Sequence, residues 1–142
     1  MRGLKRLVYL TSAEKRLLFE AAFTIVIIRI MFQYLTLAGV HRAAVAVSAA
    51  RRSDGACAAQ QIVWAIEKAA RLIARSNCLI QALAGQALLI RYGYKPCLIV
   101  GVARDEDLGF EAHAWVTSEG QILIGGCHTS RYATILALES LS

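Results

Sequence analysis

The sequence predicts an α+β fold: a helical N-terminal half, then a nucleophile-bearing helix packed on a small antiparallel sheet. Three observations carry this. Up to about Ser76 the apolar residues recur at helical spacing, broken clearly only by "RRSDGA". After Lys95 the pattern changes to short apolar or alternating runs separated by turn residues. Between them, "CLIQALAGQALLIRY" reads as one more helix, with Gly93 placed as its left-handed terminator. An order of helices followed by consecutive strands belongs to the α+β class.

A chain of 142 residues is long enough for one core and too short for two comfortable ones. It is expected to be a single domain, 1–142, with a helical portion at 1–75 and a catalytic core at 76–142. A hydrophobic fraction of 57% with only 18% charged residues excludes a disordered chain. A single proline leaves little room for a long linker, and no internal repeat is visible.

The first helix is expected over "AEKRLLFEAAFTIVIIRIMFQYL", residues 13–35, with Ser12 as its N-cap. Leu17, Leu18, Ala21, Ile25 and Ile28 share a broad apolar face, while Arg16, Glu20 and Thr24 fall together on another side. The apolar run at 21–40 approaches the roughly 20 residues that a membrane span requires. Arg29 and Gln33 interrupt it, and a central arginine is costly in hydrocarbon, so it reads as a core or interfacial helix. Its basic flanks leave membrane-surface contact open.

A second helical stretch is "VHRAAVAVSAA", and a third is "CAAQQIVWAIEKAARLIAR", whose Ile62, Ile66, Ala69, Ala70 and Ile73 share a side. The fourth, from Cys78 to Tyr92, can be capped by Ser76 or Asn77. Three strands follow. "CLIVGVA" (97–103) is apolar enough for a central strand, and "RDEDLG" supplies turn chemistry. "FEAHAWVT" (110–117) alternates, and "SEG" turns the chain into "QILIGG" (121–126).

The net charge is +6, from 16 Lys+Arg against 10 Asp+Glu. Much of the excess lies at Arg2, Lys5, Arg6, Lys15, Arg16, Arg42, Arg51 and Arg52, which reads as a solvated basic face. No stripe of alternating basic and aromatic residues appears, so nucleic acid is not an expected partner. Charged residues at 14–16 follow the basic N-terminus at once, leaving no apolar signal-peptide region. The four cysteines are therefore expected as reduced thiols in the cytoplasm. Cys97, Cys127 and His128 lack a fourth ligand and the usual zinc spacing, so no metal and no cofactor is expected. Cys57, Cys97 and Cys127 read as packing residues.

Cys78 is different, because it opens a helix rather than sitting on its buried stripe. The helix N-terminus favours negative charge, which suits a nucleophilic sulfur. In "FEAHAWVT", strand alternation places Phe110, Ala112, Ala114 and Val116 on one face and Glu111, His113, Trp115 and Thr117 on the other. His113, set between two alanines and near a tryptophan, suits a general base at a cleft wall. A helix packed across the sheet would bring Cys78 and His113 together as nucleophile and base.

The segment "CLIQALAGQALLIRYGYKPCLIVGVARDEDLGFEAHAWVTSEGQILIGG" closely resembles the leader peptidases of lasso-peptide biosynthesis, which have a transglutaminase-like, papain-type core. The opening cysteine-leucine, the passage "RYGYKPCLIVGVARD" and "FEAHAWV" carry the resemblance, and "EKRLLFEAAFTIVIIRIMF" extends it over most of the chain. It implies a cysteine peptidase that cuts a ribosomally made precursor between leader and core, with Cys78 as nucleophile and His113 as general base. It resembles the stand-alone form, since no leader-binding domain precedes the first long helix. Its implied partners are the leader region of a precursor peptide, a separate leader-binding recognition protein, and an ATP-using lasso cyclase. The charge and apolar content of the N-terminal half make it the expected docking surface.

The backbone N–H of Cys78 would hold the oxyanion, with Gln81 a second donor to consider and Trp115 a shield against water. One family feature is missing: the aspartate expected on the strand after the histidine. A two-residue hairpin loop sets Gly126 across from His113, and a three-residue loop sets Gly125 there. A Cys–His dyad is therefore expected, its imidazole oriented by Glu111, a backbone carbonyl or water. An acyl transferase using the same thioester, and a non-catalytic peptide-binding scaffold, are the alternatives.

Overall fold

The computed structural model describes residues 10–53, 57–73, 77–105, 107, 109–126 and 132–139. Helix α1 spans Ser12–Met31. Its N-cap is Thr11, one residue before the expected Ser12: Thr11 Oγ1 accepts from the Glu14 N–H at 3.2 Å, and the Thr11 N–H donates to Glu14 Oε2 at 3.4 Å. The reason is the residue three positions on, since Thr11 is paired with an acceptor, Glu14, whereas Ser12 would be paired with Lys15. The residues α1 buries are Leu17, Leu18, Ala21, Ile25 and Ile28, the face expected from spacing. The helix stops before Leu35 because Thr36 caps the next one, accepting from the Gly39 N–H at 3.3 Å.

Helix α2 spans Leu37–Ala50, and α3 spans Ala59–Leu72 with Ala58 at its N-cap and no side-chain capping bond. Helix α4, Cys78–Arg91, is capped by Asn77, whose Oδ1 accepts from the Ile80 N–H at 2.9 Å; Ser76 lies outside the described residues. Gly93 ends it at φ 92°. The Gly93 N–H donates to the Ile90 carbonyl at 3.0 Å, and the Tyr94 N–H to that of Leu89 at 2.9 Å. These bonds satisfy two of the carbonyls a helix end leaves open.

Every residue of α4 from Ala82 to Ile90 is buried. A helix apolar all round must be enclosed, and α4 is: α1, α2 and α3 pack against it, and the sheet does too. One polar side chain sits within it. Gln86 is 1% exposed and donates from Nε2 to the Leu138 carbonyl at 2.9 Å, tying the central helix to the sheet.

The sheet has four antiparallel strands in the order β3-β2-β1-β4: β1 Cys97–Asp105, β2 Gly109–Ser118, β3 Gln121–Ile124 and β4 Ala133–Glu139. The fourth strand is a correction to the expected three. "ATILALE" shows no clean alternation, and its pairing with β1 makes it a strand. Glu119 and Gly120 turn β2 into β3 with φ of 51° and 77°, a two-residue hairpin whose central residues both take positive φ.

The sheet has one face toward the helices. Leu98, Ala114, Val116 and Ile124 join the core that α1, α3 and α4 build. Gly85 of α4 lies so close to Ile124 that a Cβ there would overlap the Ile124 side chain. At the opposite end of α4, Glu20 joins α1 to α4. It accepts from the Tyr92 hydroxyl at 2.8 Å and pairs with Arg16 at 3.5 Å and Arg91 at 3.6 Å.

Candidate active site

Cys78 is the first residue of α4, half-buried and packed against the core. Helix geometry gives the N–H groups of Cys78 and Leu79 no intrahelical acceptor, so they form the positive end of the helix beside the sulfur. The next two are engaged, Ile80 N–H by Asn77 Oδ1 and Gln81 N–H by the Asn77 carbonyl. The Asn77 side chain thus sets the first turn that presents Cys78. Gln81 is half-buried in that same turn.

His113 lies on β2 directly across from Gly101 of β1. Its Nε2 stands 2.8 Å from the Gly125 carbonyl oxygen. A carbonyl only accepts, so Nε2 carries the proton and donates, leaving Nδ1 as the basic nitrogen of the neutral ring. The ring stacks at 6.0 Å on Trp115, which is 5% exposed, and lies 5.2 Å from Tyr132. Gly101 makes this aromatic group possible. A Cβ there would come within 2.8 Å of both Trp115 and Tyr132.

The orienting group is therefore a backbone carbonyl. Glu111 shares the face by alternation, but it is Gly125 that holds Nε2. The two-residue register expected for the hairpin holds next to the turn and not beyond it. Ser118 pairs with Gln121 and Thr117 with Ile122 as a two-residue loop requires, then a bulge shifts Val116 onto Ile124. Cys127 and His128 lie outside the described residues. Gly125 reaches the imidazole from φ 75°, and a Cβ there would stand 2.8 Å from the Ala114 carbonyl oxygen. A side chain at this position would be strained in conformation and in space.

The structure places the two principal residues on different sides of the sheet. Helix α4 packs on the face bearing Ala114 and Val116, whereas His113, Trp115 and Gly101 share the other, with Tyr132. The alternation expected for β2 holds from His113 to Val116, but Phe110 and Ala112, expected on the core-facing side, are exposed, Phe110 by 80%, because the core reaches only the half of the strand that carries Ala114 and Val116. No hydrogen bond joins Cys78 to His113 among the described residues. Cys57 donates to Gln61 Oε1 at 3.5 Å, and burial pushes its thiol up, with Glu20 adding to the effect. Burial likewise pushes up the Cys97 thiol at the start of β1, followed by the charge of Glu139. Neither environment favours a reactive thiolate. Among the described residues no group of three metal-ligating side chains comes together.

Sequence reasoning missed Tyr132 and did not choose between Gly125 and Gly126. Neither is signalled locally, because Tyr132 precedes a strand that was not expected and Gly125 acts through its backbone.

No curated protein and no solved structure matches the chain. The model of one family, described as the transglutaminase-like superfamily, matches residues 22–137, taking in most of the helical half and all of the sheet as far as Ala137. With a cysteine opening the buried helix, a histidine on the second strand and the α+β order of elements, the chain belongs to the transglutaminase-like superfamily.

Proposed function

We propose that the protein is a cysteine peptidase that removes the leader from a ribosomally made lasso-peptide precursor, with Cys78 as nucleophile and His113 as general base. Cys78 carries the proposal: it is the first residue of a side-chain-capped helix inside the family-matched region. Family membership points to cysteine peptidase or acyltransferase chemistry, and the resemblance of the segment from Cys78 to Gly126 supports the narrower substrate class.

The chemistry assigns a role to each group. Nδ1 of His113 takes the Cys78 thiol proton, and the sulfur attacks the scissile carbonyl to form a tetrahedral oxyanion. The free N–H groups at the start of α4 donate to that oxyanion. Collapse forms a leader thioester as the imidazolium protonates the departing core amine. Water, deprotonated at Nδ1, then releases the leader acid and restores the thiol. Throughout, Nε2–H stays on the Gly125 carbonyl, which orients the ring in both protonation states. Sulfur and Nδ1 must come within hydrogen-bond reach for the first step, so the bound peptide has to bring the start of α4 to the His113 ring. The leader-binding protein and the cyclase are proposed partners of this step.

A second reading, a scaffold that binds the peptide without cutting it, is favoured by His113 facing away from α4. One experiment separates them. The wild type, Cys78→Ala and His113→Ala are each mixed with precursor peptide and leader-binding protein, and peptide mass is followed over time. Cleavage at one bond by the wild type, lost in both variants, is the expected result. An intact peptide held in a stable complex by all three proteins would establish the scaffold instead.

A further inference from the structure

Helix α1 is apolar on both sides, and only one side is covered. Its inner face is in the core, yet Phe19 is 72% exposed, Phe23 58%, Val26 41%, Ile27 39%, Ile30 47% and Tyr34, just past its end, 80%. Spacings of four, three, four and four between Phe19, Phe23, Val26, Ile30 and Tyr34 keep them in one line along the axis, over roughly 22 Å. Phe19 and Phe23 stack at 6.5 Å. A contiguous exposed stripe of this kind marks an interaction surface.

We propose that this ridge docks the protein on an anionic lipid bilayer, with α1 lying parallel to the membrane plane. Three features select that occupant. The first is charge: residues 10–53 carry six basic side chains against two acidic ones. One of the two, Glu20, is engaged by Arg16 and Arg91 with its side chain only 12% exposed. Lys15, one turn before Phe19, and Arg42 of α2 are both exposed. The second is shape, because the stripe is the convex ridge of a single helix. Its side chains from Phe19 to Ile30 are wholly apolar and only Tyr34 at its end carries a hydroxyl, few hydrogen-bonding groups by which to select a protein partner. The third is self-repulsion: a second copy would bring two cationic surfaces together. An exposed apolar ridge on a cationic segment inserts about 5–10 Å into the headgroup boundary. Among the described residues no helix is long and apolar enough to cross a membrane, so α1 rests on the surface.

Sedimentation of the full chain with vesicles of phosphatidylcholine, with and without one-third phosphatidylglycerol, tests the docking. The chain is expected to pellet with the anionic vesicles and to be released as salt is raised. Phe19→Ser with Phe23→Ser should lower the partition coefficient by at least about tenfold, with an unchanged melting temperature. Lys15→Glu with Arg42→Glu, which leaves the stripe intact, should also weaken binding to the anionic vesicles. Three results would overturn the proposal: no pelleting with anionic vesicles, equal pelleting of the phenylalanine variant, or a wild-type dimer that this variant converts to monomer. Cys78→Ala, which removes the proposed nucleophile and leaves the ridge intact, is expected to pellet with anionic vesicles like the wild type, so failure here is distinguishable from failure of the peptidase assignment.

Discussion

Gly125 is the residue on which the site most depends, and it acts without a side chain. Its carbonyl holds His113 Nε2 at 2.8 Å from a backbone at φ 75°. Gly125→Ala adds a Cβ against the Ala114 carbonyl and strains the backbone, which should cost on the order of 1–3 kcal/mol in urea denaturation. Nitrogen NMR of the imidazole should show the Nε2-protonated tautomer in the wild type and a mixture in the variant. A mixture already present in the wild type would remove the carbonyl as the orienting group. His113 itself was legible from the pattern of "FEAHAWVT", because alternation is a local property of a strand. Its acceptor was not, because a bulge after Thr117 decides which backbone atom arrives there.

Among the elements, α4 shows how local signals and enclosure combine. Its start and stop were readable from Asn77 and Gly93, which respectively accept a first-turn N–H and adopt positive φ. Asn77→Ala should destabilise the protein by about 1 kcal/mol. Gly93→Ala should cost about 1 kcal/mol, from backbone conformation alone, since a Cβ there would meet nothing within 4 Å. Chemical denaturation checks both. Only Asn77→Ala is also expected to slow peptide cleavage, because it loosens the turn that presents Cys78. Strand β4 is the opposite case. "ATILALE" carries no alternation, and its identity comes from β1 beside it.

At the scale of the whole molecule, α1 is fastened to the C-terminal end of α4 by Glu20 and Tyr92. Burial, then the hydrogen bond to Glu20 and its charge, push the Tyr92 hydroxyl up to about 12. A group whose folded value is raised stabilises fully below its unfolded value, about 10 for tyrosine, and loses that contribution as pH rises through the folded value. Stability should therefore decline between about pH 10 and 12. Tyr92→Phe should be less stable than the wild type at neutral pH, with the gap narrowing toward about pH 12. Thermal melts of both proteins across that range measure it; a constant gap would show that the hydroxyl is not the titrating group.

The sequence by itself determined the α+β order, the four helices, the buried face of α1, the two faces of β2 and the residue types on which the chemistry rests. Each of these is set by periodicity or by a cap within a few residues, and so is written locally. Tertiary structure alone decided that β4 joins the sheet, that Gln86 bridges α4 to it, and that the Gly125 carbonyl orients His113. It also decided which sheet face meets α4, leaving His113 with Trp115 and Tyr132 on the other. These depend on contacts between residues far apart in the chain, where strand pairing, a bulge and close approach at glycine choose the partner and no local pattern records the choice.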